Sequence, residues 1–126
     1  MRLLLDTHVY LWSMAGDQRL GAVASAAIRS PQNQVFVSAV TAWEIAIKRT
    51  LGKLDFPVDE FEVQTDAAGF RLIDITTAHG IAAGSLPRHH DDPFDRMLIA
   101  QAQLEGLTLV TADMRLPSYG IATLRP

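Results

Sequence analysis

Four carboxylates in this sequence stand where the chain passes from one element to the next, and together they admit metal chemistry. Asp6 directly follows the apolar run Leu3-Leu4-Leu5, and Asp113 ends Leu109-Val110-Thr111-Ala112-Asp113. Glu44 lies in Ser38-Ala39-Val40-Thr41-Ala42-Trp43-Glu44, behind Val35-Phe36-Val37. Asp95 lies in His90-Asp91-Asp92-Pro93-Phe94-Asp95-Arg96, at the mouth of a periodic segment. Each acid has an ordinary explanation on its own. Asp6 and Asp113 fit helix N-caps. Asp92-Pro93 reads as a cap with proline at the first helical position, and Asp95 as a first-turn acid favoured by the helix dipole. Thr41 and Glu44 have the spacing of a capping box, although the helix start falls nearer Ser38. Ser, Thr or Asn would cap equally well, so a carboxylate at every one of these places is a narrower choice. Four carboxylates near one point repel one another, and such a site either raises a pKa or holds cations. Mg²⁺ or Mn²⁺, hard ions that take oxygen ligands, resolve the conflict. Beside a phosphate such an ion supports hydrolysis of a phosphodiester.

Short apolar runs alternate with segments of helical periodicity, and these elements must gather the acids. Strands are expected at residues 3–5, 35–37, 71–75, 107–110 and 121–124. Helices are expected at residues 8–14, ended near Gly16; 20–29, closed by Ser30-Pro31; and 40–51, stopped by Gly52. Further helices are expected at residues 59–68, closed by Gly69; 77–83, ended by Gly84; and 94–105; with a single turn near 114–116. This alternation predicts an α/β fold with a central parallel sheet flanked by helices, in three layers, with right-handed crossovers. Ligands of such sheets sit outside the carboxyl ends of the strands. Three of the four acids follow a strand and the fourth opens a helix, so all four can face that edge.

Composition narrows the field. The chain has 126 residues, 48% hydrophobic and 20% charged, with eleven Lys+Arg against fourteen Asp+Glu and a net charge of −3. That is one domain over residues 1–126, large enough to bury about two-thirds of its unfolded surface. The absence of cysteine excludes disulfide scaffolds, thiolate zinc sites and cysteine nucleophiles. No stretch reaches the roughly 18 apolar residues of a membrane span. Asp6 and His8 break the apolar start too early for a secretion signal. A cytoplasmic protein with no membrane partner is expected. The acidic balance provides no global pull toward nucleic acid, so such a partner needs a local basic patch.

The ordered set of pieces resembles the PIN-domain family, and within it the VapC-type toxins of bacterial toxin–antitoxin pairs. The resemblance is carried by Leu3-Leu4-Leu5-Asp6-Thr7-His8, by Ser38 with Trp43-Glu44-Ile45-Ala46-Ile47-Lys48, by Asp92-Pro93-Phe94-Asp95-Arg96-Met97-Leu98-Ile99-Ala100-Gln101-Ala102, and by Leu109-Val110-Thr111-Ala112-Asp113. It implies a PIN-like three-layer sandwich and a Mg²⁺- or Mn²⁺-dependent endoribonuclease. Asp6, Glu44, Asp95 and Asp113 would be its catalytic and metal-binding quartet. Thr7 and Ser38 match small polar positions beside that quartet, and Thr111 matches the threonine before the last acid. The resemblance further implies an RNA substrate, a cognate antitoxin protein, and a homodimer or toxin–antitoxin hetero-oligomer.

RNA approaching an acidic site needs cations. Arg88 and Arg96 are candidates, as are Lys48, Arg49, Lys53, His89 and His90; Arg49 and Lys53 also read as a solvated helix end, and Arg96 as a brace for a carboxylate. His8 beside Asp6 reads as a structural contact, and His89-His90 as a solvated loop or a phosphate contact. Trp12 and Trp43 read as core or interface; with Ile47 and Leu51 they could equally line an apolar groove for the antitoxin. Two other phosphate chemistries fail on single residues. A haloacid-dehalogenase-type site needs a second acid where His8 stands, and a response-regulator receiver expects a lysine after a late strand, whereas the only lysines are Lys48 and Lys53. The remaining alternative is a noncatalytic PIN-like interaction module whose acids only cap helices.

Overall fold

Side chains alternate along each apolar run, and that alternation decides which helices each residue meets. The computed structural model describes all 126 residues. Strands β1 (Arg2–Leu5), β2 (Gln34–Ser38), β3 (Arg71–Ile73), β4 (Thr108–Val110) and β5 (Thr123–Leu124) form one sheet in the order β3-β2-β1-β4-β5. Every pairing is parallel. The connections carry α1 (Thr7–Ala15), α2 (Ala22–Arg29), α3 (Ala39–Thr50), α4 (Phe61–Ala67), α5 (Thr77–Ser85) and α6 (Pro93–Glu105). Leu3, Leu5, Val35, Val37 and Val110 pack on one face against Val9, Tyr10, Ile28, Ile45 and Phe61. Leu4, Phe36 and Leu109 face the other way and meet Leu98, Ile99, Ala102 and Leu116. The period of two thus builds two cores, one on each side of the sheet. Both faces are covered, which is why these runs read as continuously apolar. The three layers agree with the expected α/β class.

Where the elements differ from the sequence expectation, the cause is local. The helix expected to end at Gly84 continues to Ser85. It stops because Leu86 precedes Pro87 and is extended, as proline's ring demands of its predecessor. Strand β3 ends at Ile73 rather than residue 75, and the carbonyl of Asp74 accepts instead from the Gln101 side chain on α6. The segment 59–68 divides into a 3-10 turn, Val58–Glu60, and then α4. Helix α2 starts at Ala22, since Asp17 and Arg19 form a bonded turn just before it. The same turn, made by Asp113 and Arg115, displaces the late single turn to Leu116–Tyr119. The last strand shrinks to Thr123–Leu124.

Strand order places the site. From β1 the chain moves outward through β2 to β3, then returns to lay β4 on the other side of β1. This reversal opens a crevice at the carboxyl ends of β1 and β4. Asp6 leaves one of these strands and Asp113 follows the other.

Candidate active site

Asp6 is pinned at that crevice. Its backbone N–H donates to the Val110 carbonyl at 3.1 Å, and its Oδ1 accepts from Val9 N–H at 2.8 Å, capping α1. Thr111, whose Oγ1 accepts from Asp113 N–H at 3.0 Å, stands beside this carboxyl and favours its charged form. Burial raises the Asp6 pKa from its ordinary value, against the opposing effects of Thr111 and the Val9 amide. Ser38 caps α3 by accepting from Val40 N–H at 3.0 Å, which sets where Glu44 emerges. Glu44 does not close a capping box with Thr41. Its Oε1 accepts from Thr7 Oγ1 at 2.6 Å, and its Oε2 bonds the Lys48 ammonium one turn on. Asp92 caps α6 through Phe94 N–H and Asp95 N–H, leaving Asp95 in the first turn with no amide to hold. Asp113 is gripped by Arg115 through its backbone N–H at 2.9 Å and its guanidinium at 2.6 Å, which holds the acid's pKa low.

These four acids line one cleft of about 460 Å³, together with Asp92. Lys48, Arg19 and Arg115 line it as well, so five carboxylates face three cations. The imbalance settles on Asp95. Burial first, and then the charges of Asp92, Asp6, Glu44 and Asp113, raise its pKa to about 7. Capping accounts for Asp6, but Glu44 and Asp95 cap nothing, so capping alone does not explain the cluster. The donor set is wholly oxygen and overcharged, which suits a hard divalent cation. As placed, no three Asp, Glu or His side chains form a set that could hold an ion. Glu44 is turned onto Lys48 and Asp113 onto Arg115, whereas neither Asp6 nor Asp95 is paired with Lys or Arg.

Other residues fall differently from expectation. Thr7, Ser38 and Thr111 are buried beside the quartet. Arg88 and Arg96 do not line the cleft. Arg88 is exposed and pairs with Asp91 at 2.7 Å. The Arg96 guanidinium donates to the carbonyls of Ala83, Leu86 and Pro87 at 3.1, 2.9 and 2.9 Å. His90 is buried rather than solvated, with Nδ1 2.7 Å from the Tyr119 hydroxyl. Its Nε2 stands 3.5 Å from Asp95 Oδ2, too poorly aligned to bond, and has no other partner. His8 is exposed at the cleft wall. Trp12 is half-buried, packs against the core as expected and also lines the cleft. Trp43 is 55% exposed and meets Phe94 edge-on at 5.0 Å, so a sealed core does not account for it. Arg19 and Arg115 escaped the sequence reading, though a repeated signal exists: Asp17-Gln18-Arg19 and Asp113-Met114-Arg115 make the same Asp-to-Arg turn.

A parallel sheet in this order, with acids converging at its switch point, defines the class. Residues 3–121 match the family model described as PIN domain, and the chain belongs to that family. It is 36% identical over 120 residues to Ribonuclease VapC22 of Mycobacterium tuberculosis, covering 93% of this chain and 91% of that one. The fold is similar to that in the crystal structure of VapBC2 from Rickettsia felis bound to a promoter DNA fragment, with a TM-score of 0.72 and 14% identity over 99% and 98% of the two chains. It is also similar to VapBC-1 from nontypeable Haemophilus influenzae, with a TM-score of 0.65 and 15% identity over 99% and 98% of the two chains.

Proposed function

We propose that this chain is a Mg²⁺- or Mn²⁺-dependent endoribonuclease, the toxin of a VapBC-type pair, held in complex by a cognate antitoxin. The observation that carries this reading is the convergence of Asp6, Glu44, Asp92, Asp95 and Asp113 on one cleft at the carboxyl ends of β1 and β4. A self-repelling cluster of this kind is costly unless it serves to bind positive charge. The relative named Ribonuclease VapC22 supports the activity, and the VapBC structures support the partner. Asp6, Glu44 and Asp95 would hold the ion, with Asp113 completing the set. A divalent cation bound there lowers the pKa of a water and offsets charge on the phosphate. The chain itself orients the ligands: Thr7 holds Glu44, and the α1 amide of Val9 holds Asp6. Lys48 and Arg115 bring positive charge to the cleft wall, where a phosphate backbone must enter.

The test is cleavage of a single-stranded RNA with Mg²⁺, with EDTA, and by Asp6→Asn and Asp95→Asn. Each variant is expected to lose on the order of 100-fold or more in turnover, and EDTA to abolish it. Full activity in both variants, or undiminished cleavage in EDTA, overturns the assignment.

A further inference from the structure

His90 is a buried group that the proposed reaction leaves without a task. Its side chain is 4% exposed, and its Nε2 has no hydrogen-bond partner. That atom stands 3.5 Å from Asp95 Oδ2. We propose that His90 is the positioning residue of Asp95: its Nε2–H, fixed by Tyr119, holds Oδ2 and so leaves the other carboxylate oxygen to the cation. The ring does not line the cleft, so it acts through Asp95 and not on the substrate. This role rests on the metal-dependent reading of the cleft and deepens it by adding the residue that aims one ligand.

The Tyr119 hydroxyl decides which ring nitrogen carries the proton. It receives the His90 backbone N–H at 3.3 Å and the Arg96 guanidinium at 3.4 Å. Those two donors occupy the two lone pairs of a hydroxyl oxygen. A proton on Nδ1, 2.7 Å away, would be a third donor with no lone pair to meet. The hydroxyl therefore donates to Nδ1, in preference to the His90 carbonyl at 3.4 Å, and the ring proton sits on Nε2. A buried N–H without an acceptor is costly, and Asp95 Oδ2 is the acceptor beside it.

Asp95 has the matching need. The other three acids of the quartet each have a donor: Asp6 has Val9 N–H, Glu44 has Thr7 and Lys48, and Asp113 has Arg115. Asp95 has none, since Asp92 takes the first amides of α6. Hydrogen bonds from outside a metal site orient its ligands, and a donor favours the charged form of a carboxylate. Tyr119 adds a mechanical link. It ends the 3-10 turn Leu116–Tyr119, just beyond Asp113 and Arg115, whereas His90 precedes α6. Their bond ties the segment that carries Asp113 to the one that carries Asp95.

Two measurements test the role, the first on the cation-free protein. Long-range proton–nitrogen NMR at about pH 8, above the ordinary histidine range, distinguishes the two neutral tautomers. The His90 signals are those that vanish in His90→Gln. The wild type is expected to carry the proton on Nε2, and Tyr119→Phe, which removes the hydroxyl alone, to mix the two forms. A proton on Nδ1 in the wild type overturns the proposal. The second measurement is calorimetric titration with Mn²⁺ of proteins whose folding is checked by circular dichroism. His90→Ala is expected to weaken affinity by about 10- to 100-fold, and Tyr119→Phe to weaken it by less. His90→Gln, whose amide can place a donor where Nε2 stood, should recover most of the loss. A role in packing alone would leave the affinity of the folded protein unmoved. Where His90→Ala does not fold, Tyr119→Phe decides. Mn²⁺ affinity equal to wild type in the folded variants overturns the positioning role and leaves the ribonuclease reading standing. A wild type that takes up neither Mn²⁺ nor Mg²⁺ defeats the metal-dependent reading and the proposal with it.

Discussion

Asp95 is the residue in which sequence, fold and function meet. Its carboxyl titrates at about 7 in the folded chain against 3.8 in an unperturbed one. Between those values the folded state keeps a proton that the unfolded state has lost, so stability falls as pH rises through the window. The contribution is complete below the lower value and gone above the upper. In chelator, the melting temperature of the wild type is therefore expected to fall from about pH 5 to pH 8. Asp95→Asn should flatten that slope and melt higher than the wild type at the alkaline end; parallel slopes would place the acid in an ordinary environment. The quartet was legible because each acid adjoins an apolar run, a feature visible along the chain. Arg19 and Arg115 were not, because only the fold sets them opposite those acids. Trp12 reads as core or interface, and it packs against the core while the turn that ties Arg19 to Asp17 lays a guanidinium over its ring.

Element ends explain most of the differences between reading and structure. Gly84 looked like a stop for α5, yet the Leu86-Pro87 pair supplies it, and that signal was present in the sequence. The last carbonyls of a helix have no amide of their own helix to accept from. Arg96, one turn into α6, bonds those of Ala83 and the cap residue Leu86, with that of Pro87 in the connection, and so ties the two helices together. No periodicity in the sequence shows a side chain whose partners are backbone oxygens. Arg96→Ala is expected to destabilise by about 2–3 kcal/mol through stranded carbonyls, read as a lower urea midpoint at unchanged slope. Arg88→Glu, at an exposed pair with Asp91, should shift stability by less than ~0.5 kcal/mol and leave RNA affinity unaltered. If Arg88→Glu weakens RNA binding while Arg96→Ala leaves the midpoint in place, the two roles are the reverse of those assigned here.

At the scale of the whole molecule, layer architecture was readable and strand order was not. Continuous apolar runs between helical segments require a sheet covered on both faces, but they do not say which strands neighbour β1. That neighbour is β4 on one side and β2 on the other, and this alone makes residues 6 and 113 adjoin one crevice. The folded chain consequently concentrates five of its fourteen acids in one cleft. Such repulsion opposes folding unless a cation or a proton relieves it. A ligand bound only by the native state stabilises it by mass action, by about 2.7 kcal/mol at a hundredfold excess over its dissociation constant. Mg²⁺ or Mn²⁺ should therefore raise the melting temperature where NaCl of equal ionic strength does not. The rise should be larger above the Asp95 pKa than below it, because protons and the cation compete for the same carboxylate. Asp95→Asn should remove most of the rise and its pH dependence together. A rise of the same size in that variant, or one matched by NaCl, would mean that the cleft binds no specific cation and that its acids are accommodated by Lys48 and Arg115 alone.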